Sequence, residues 1–421
     1  MRYATRTAGN VIIALVFVLL GGAALELAAR IVDRPRGEER DPRRLAAASK
    51  ALVEKKVKNL VVAFDNKYTY DQLMNIFPLM QDHLRYKPWI QIGNADHSNP
   101  FSIVENGVRK TSTGDSCQRQ SETAVEKKPK VIWFYGGSTT YGIGVPWWDA
   151  MPSKFVEEAD RNGICVTAVN FGVPYHFSRQ EAIYFVTRLM NEAAPDAVVF
   201  LDGLNEFGEP GAALRAEPFF TPTLDKLVPV GPDPTGRASV KAGAPSFWAG
   251  LLSNLHMLRW LGVSKDAPNL EAPGETYSNA DPPASKALSS DEQLARAIVD
   301  RYLVTRNFLT KVCESYGIRC FQFLQPIAAV DYHPQDSEVL TQETRARPEP
   351  AGRYAAGYAA MREAFPPAAR CGAAPKGLSA VDLSPLFKDY DGIPYVDNGH
   401  YAPRANALLA AAIFRCVLAE P

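Results

Sequence analysis

Ser138 stands in Gly136-Gly137-Ser138-Thr139-Thr140-Tyr141-Gly142, directly after the apolar run Val131 to Tyr135, and Asp397-Asn398-Gly399-His400 stands near the far end of the chain. A serine hydroxyl is a weak nucleophile at neutral pH, so attack on an ester carbonyl needs a base within hydrogen-bond reach, usually an imidazole. Six histidines compete for that role. His83, His97 and His333 sit beside aspartates in expected loops and His256 in an inserted helix; His400 lies just before a terminal helix, with a carboxylate three residues earlier. In a tight loop that spacing lets Asp397 hold Nδ1 of His400 and leaves Nε2 free to take the proton of Ser138. The expected chemistry is acyl transfer through Ser138, His400 and Asp397.

A tetrahedral intermediate also needs donors for its oxyanion. Two further segments supply them, each after an expected strand: Asn170-Phe171-Gly172-Val173-Pro174 and Leu201-Asp202-Gly203-Leu204-Asn205-Glu206. The N–H groups of Ser138 and Gly172 and the side-chain amide of Asn205 are the candidates. Each residue has a plainer role open to it: Ser138 as a helix N-cap, Gly172 and Asn205 as turn residues, Asp397 as the cap of the last helix. A phosphate loop is excluded because Gly136 to Gly142 has no lysine, and the G-x-S-x-G elbow is excluded by Thr140.

The elements that must position these residues alternate short apolar runs with amphipathic helices, the pattern of βαβ units and a parallel sheet. About five strands are expected: Val131 to Tyr135, Val166 to Asn170, Ala197 to Leu201, Arg319 to Leu324 and Leu378 to Leu383. Gly163 closes one helix, Ser178 with Glu181 reads as a capping box opening another, and Ser290 with Gln293 opens a long helix ending near Gly317. Pro403 suits the first turn of a closing helix that runs to Leu418. All candidates thereby fall at strand ends, where open parallel sheets hold ligands.

Residues 211–289, rich in Pro, Gly, Ala and Ser, interrupt the rhythm and read as an insertion above the strand ends. Within it Phe247, Leu251, Leu255 and Leu258 share a helical face, suited to packing on the domain or to acting as a lid. Residues 30–125 read as a charged juxtamembrane stretch followed by a small aromatic-rich extension, and 126–421 as the main domain.

The 421 residues carry 46 Lys+Arg and 46 Asp+Glu, so nothing steers the chain toward nucleic acid, and a neutral substrate fits better. Val11 to Leu25 is uninterrupted apolar sequence within a span of about bilayer length, expected as a transmembrane signal-anchor over 8–29. Arg30, Arg34, Arg36, Arg40, Arg43 and Arg44 would favour a cytoplasmic far side, yet long domains translocate largely regardless of flanking charge. The expectation is an inner-membrane, single-pass protein with its domain exported. Six cysteines without a C-x-x-C pair argue against a metal; disulfides suit an exported domain, while Cys165 and Cys320, in expected core strands, read as packed thiols.

With four motifs in this order, the chain resembles the SGNH hydrolase superfamily, the GDSL esterases and lipases: Ser138 in the first block, Gly172 in the second, Gly203-x-Asn205 in the third and Asp397-x-x-His400 in the last. The resemblance covers about Val131 to Leu418 with the insertion unmatched. It implies a three-layer α/β/α sandwich, flavodoxin-like in its parallel sheet, and a metal-free and cofactor-free Ser–His–Asp mechanism on esters or acetylated glycans. Two positions depart from the pattern: Gly137 stands where the family has Asp, and Glu206 where Asp follows the third-block Asn. The Asn106-Gly107-Val108-Arg109 segment and the N-terminal anchor look like membrane-tethered bacterial members. The function expected is removal of acyl groups, acetyl foremost, from an envelope or exported polysaccharide. Transfer to a glycan hydroxyl by the same residues, or glycan binding without catalysis, are the alternatives.

Overall fold

Continuous apolar runs with few polar interruptions make strands buried on both faces, and the five expected ones form the heart of the sheet. The computed structural model describes residues 61–81, 83–117, 128–208, 290–330, 332, 349–365, 377–397 and 399–418. The apolar segment over 8–29 and the insertion over 211–289 lie outside the described residues, and among those described no helix is long and apolar enough to cross a membrane.

Strands β1 (Leu84–Lys87) and β2 (Gln91–Asn94) form a separate antiparallel hairpin. The main sheet contains β3 (His97–Ser98), β4 (Ile103–Glu105), β5 (Val108–Arg109), β6 (Lys130–Gly136), β7 (Val166–Asn170), β8 (Ala197–Asp202), β9 (Arg319–Leu324) and β10 (Gly377–Asp382). Its order is β10-β9-β8-β6-β7-β5-β4-β3. The segment β10-β9-β8-β6-β7 is parallel throughout, and β5, β4 and β3 continue it antiparallel. The extension before the main domain is therefore not only packed on it: its last strands lengthen the sheet beyond β7.

Side chains alternate across the strands. Ile132, Phe134, Val199 and Phe323 face a core shared with helices α3 (Met151–Arg161) and α8 (Pro403–Val417). Trp133, Tyr135, Val198 and Phe200 face the other side, against α4 (Ser178–Leu189) and α6 (Asp291–Tyr316). A mixed α/β fold with a parallel-rich sheet and helices on both faces results; α1 (Tyr70–Ile76), α2 (Ser138–Tyr141), α5 (Leu204–Gly208) and α7 (Glu349–Ala364) complete the helices used below.

Several terminators act as expected. Gly317 ends α6 in the left-handed region at φ 66°, Ser290 accepts the Gln293 N–H at its start, and Pro403 opens α8. The Ser178–Glu181 capping box does not form: Ser178 is already the first residue of α4, and its N–H is taken at 2.8 Å by Oε1 of Glu206. Burial explains the change, because Glu181 points inward beside Asp202. Cys165 and Cys320 are likewise not free packed thiols; Cys117 bonds Cys165 and Cys313 bonds Cys320. Spacing alone could not reveal this, since partners are brought together by the sheet. Cys165 directly precedes β7, so the first bond ties the extension to that strand, and the second ties α6 to β9.

Candidate active site

The parallel part of the sheet starts at β6, moves to β7 on one side and then crosses to β8 on the other. Such a reversal opens a crevice outside the carboxyl ends of the strands. Ser138 follows β6, Gly172 follows β7 and Asn205 follows β8, so three motifs far apart in sequence sit on three adjacent strand ends.

Ser138 is the first residue of α2, and the N-cap position belongs to Gly137, which makes no side-chain cap bond. Ser138 is thus not spent on capping, and as a first-turn residue its own N–H has no acceptor within the helix. Gly137 shows why this chain tolerates no side chain before the serine. A Cβ there would lie 2.3 Å from Nδ2 of Asn205 and 3.2 Å from the His176 carbonyl oxygen. A side chain at 137 would therefore require the Asn205 amide to shift.

Asn205 Nδ2 donates one hydrogen to the His176 carbonyl at 2.6 Å, which fixes the amide and leaves its second hydrogen for a ligand. Gly172 is pressed just as tightly: a Cβ would stand 2.4 Å from the Tyr141 nitrogen. Its N–H donates to Oδ1 of Asn170 at 3.0 Å, so it reaches an oxyanion only as a shared donor. Asn170 in turn donates Nδ2 to the Thr140 carbonyl at 3.0 Å, locking the second motif onto the first.

Asp397 and His400 meet as expected. His400 Nδ1 lies 2.8 Å from both carboxylate oxygens, and Asp397 Oδ1 also accepts the N–H groups of Gly399 and His400. Burial by itself would raise the pKa of Asp397, but the His400 charge and these hydrogen bonds hold it well below the usual carboxylate range. Nδ1 is the protonated nitrogen in the neutral ring, because it faces a carboxylate. Nε2 is buried with no hydrogen-bond partner, and no bond joins it to Ser138 in this structure. The loop bearing the pair is seated on the first and third motifs. A Cβ at Gly144 would touch Val396 at 2.9 Å, and one at Gly399 would touch Leu204, the neighbour of Asn205, at 2.7 Å.

Three residues to which the sequence reading gave no role in the site hold this assembly. Gln325, buried at the end of β9, accepts the Thr139 hydroxyl at 2.7 Å and the Tyr401 hydroxyl at 3.2 Å through one oxygen, joining the neighbours of Ser138 and His400. His176 is buried, donates Nε2 to the Ile92 carbonyl at 2.8 Å, and is kept neutral by burial, which lowers its pKa to about 4. Arg109, from the Asn106-Gly107-Val108-Arg109 hairpin, is fully buried and donates to the carbonyls of Tyr141, Gly142 and Val145 at 2.6, 2.7 and 2.8 Å. Only the alternation of β5, too short to read reliably, would have pointed Arg109 inward.

Glu206, the other departure from the family pattern, is a clamp. Its two oxygens accept the N–H groups of Ser178 and Gly203, each at 2.8 Å, so the longer side chain bridges the second and third motifs. It shares its buried neighbourhood with Asp202 and Glu181, and Tyr302 donates to Asp202 at 2.9 Å. Burial raises the pKa of all three carboxyls; repulsion from the neighbouring carboxylates adds to it for Glu181 and for Asp202, which is pushed up to about 8, while hydrogen bonds oppose it at Glu206. Since the folded values lie above the unfolded ones, near 4, their contribution is fully present below about pH 4 and is lost as pH rises to about 8. Thermal stability of the wild type should fall across that window. Glu181→Gln, which cannot ionise, should fall less across that window and be the more stable of the two at pH 8. Melting curves across that pH range check this, and parallel curves for the two proteins would contradict it.

No protein family model matches the chain, and no curated protein matches it. Among solved structures, the chain is similar to an acetyl xylan esterase from Geobacillus stearothermophilus at 12% identity and a TM-score of 0.30, covering 69% of this chain and 96% of that one. It is also similar to an α/β hydrolase enzyme from the metagenome of Lake Arreo, Spain, at 13% identity and a TM-score of 0.29, covering 68% and 94%.

Proposed function

We propose that this chain is a serine esterase of the SGNH type that removes acyl groups, acetyl foremost, from a polysaccharide outside the cytoplasm. The observation that carries the reading is the His400–Asp397 pair with Nε2 left bare, seated at the same strand ends as Ser138 and a pinned Asn205 amide. In this mechanism His400 Nε2 removes the Ser138 proton as Oγ bonds to the acyl carbon, and the carbonyl electrons move onto oxygen. The Ser138 N–H, the second Asn205 amide hydrogen and the shared Gly172 N–H receive that charge; one such donor is worth about 3 kcal/mol. His400 then protonates the departing sugar oxygen, and a water, deprotonated by the same nitrogen, releases the carboxylic acid and restores Ser138. The Ser138–His400 bond forms when substrate fills the crevice, as catalytic hydrogen bonds commonly tighten on binding.

Export is supported by disulfide bonding at Cys117, Cys165, Cys313, Cys320 and Cys416, which suits an oxidising compartment. The apolar run at 11–25 would then serve as the inner-membrane anchor, with the domain on the periplasmic side. The test is acetate release by the full chain in detergent from 4-nitrophenyl acetate and from acetylated xylan. Release from both, abolished by a fluorophosphonate, is expected; binding of the glycan with no release from either would establish a non-catalytic module instead.

A further inference from the structure

Gln325 follows β9 and is bonded to the immediate neighbours of three motifs. Its backbone N–H donates to the carbonyl of Asp202, the residue before Gly203, at 2.9 Å, and its own carbonyl accepts the Tyr358 hydroxyl of α7 at 3.0 Å. The main chain is thereby pinned on both sides. Its side-chain oxygen accepts the hydroxyl of Thr139, next to Ser138, at 2.7 Å, and that of Tyr401, next to His400, at 3.2 Å. The Tyr401 hydrogen is shared with the Pro326 carbonyl at 2.7 Å, which keeps that ring on the same short segment. All three side chains are buried. A buried amide costs free energy unless it is bonded, and a leucine would fill the place without that cost. The bonds that compensate it run to the nucleophile's neighbour and to the base's neighbour.

We propose that Gln325 is a positioning residue that, through Thr139 and Tyr401, sets how closely Ser138 Oγ and His400 Nε2 approach when the proton moves. The inference rests on the esterase reading above. Nε2 has no hydrogen-bond partner in the free protein, so the two atoms must close on each other for the reaction. Each belongs to a residue whose chain neighbour is tied to the one Gln325 oxygen, and that oxygen limits the movement of both. A misplacement of about 1 Å at a reacting pair costs on the order of 10²-fold in rate, even when its cause lies outside the chemistry. Gln325 touches no reacting atom itself; it acts through its two partners.

The test measures kcat and KM on 4-nitrophenyl acetate for the full chain in detergent, with competent sites counted by exhaustive fluorophosphonate labelling. Wild type is compared with Gln325→Leu, Gln325→Glu, Thr139→Val and the variant carrying both Gln325→Leu and Thr139→Val. Gln325→Leu should lower kcat per labelled site by about 10- to 100-fold with KM within about 2-fold, because alignment is felt in the transition state and not in ground-state binding. Thr139→Val cuts one arm of the bridge and should lose in the same direction. The double variant should lose no more than Gln325→Leu alone, since both changes act through one bond. Gln325→Glu keeps an accepting oxygen in either ionisation state and should recover most of the rate. An unchanged kcat per site in Gln325→Leu, a loss carried by KM or by fewer labelled sites alone, losses that multiply in the double variant, or no recovery in Gln325→Glu would overturn the inference. Should Gln325→Leu fail to fold, Thr139→Val decides, and a wild-type rate there would overturn it. A wild type that does not hydrolyse the ester would sink the esterase reading, whereas an active wild type with unaffected variants would sink only this one.

Discussion

Ser138→Ala is expected to lower ester hydrolysis by about 10⁴-fold or more while leaving the melting temperature unchanged. Ser138 caps nothing, and alanine is the best helix former at the first position of α2. The substitution removes the nucleophile and no structural contact, so stability should stay within about 0.5 kcal/mol. His400→Ala should lose a similar factor, since base and nucleophile act as a unit. Asp397→Ala should cost more than orientation alone, because the carboxylate also accepts the Gly399 and His400 N–H groups that shape the loop. Steady-state rates with circular dichroism and thermal melts check the set. Near-wild-type activity in Ser138→Ala would remove this serine from the chemistry.

Arg109→Met should have the largest effect on stability. The arginine is buried, its guanidinium lies 4.3 Å from the Tyr141 ring, and its three short bonds hold the carbonyls that end α2 and begin the following loop. Methionine fills part of the space but donates nothing. Asn170 still reaches the Tyr141 oxygen at 3.4 Å, which leaves the Gly142 and Val145 oxygens without these donors. At about 1–3 kcal/mol for each buried polar group left unpaired, the loss from these two is about 2–6 kcal/mol. Arg109→Lys should fall between, because an ammonium cannot reproduce the fork. Urea unfolding should show a lower midpoint with an unchanged slope, and the specific activity of the folded fraction should drop as the Ser138 turn loosens. An unfolding free energy within about 0.5 kcal/mol of wild type, the scatter of surface substitutions, would contradict a clamping role.

Much of the fold was legible because β6, β7, β8, β9 and β10 are written as apolar runs bounded by breakers, and a strand buried on both faces needs no alternation to be recognised. Gly163, Ser290, Gly317 and Pro403 marked their boundaries for equally local reasons. What escaped was non-local. The strands of the extension that join the main sheet are two or three residues long, below the length at which period 2 can be read, so their joining was invisible. Glu181 had the spacing of a cap but the environment of a core, and its fate depended on Asp202 and Glu206 arriving from another strand. The Cys117–Cys165 pairing and the Gln325 bridge likewise depend on which distant segments become neighbours. Three of the site motifs were legible because each follows a strand, and the last because it precedes the closing helix.

The most direct test is to treat the intact chain with a fluorophosphonate probe and map the adduct by peptide mass spectrometry. A single adduct on Ser138, lost in His400→Ala, is the expected result, because only a serine beside a working base attacks the phosphorus at a useful rate. Labelling at a different serine with Ser138 unmodified, or no adduct in a preparation that still hydrolyses the chromogenic ester, would contradict the account.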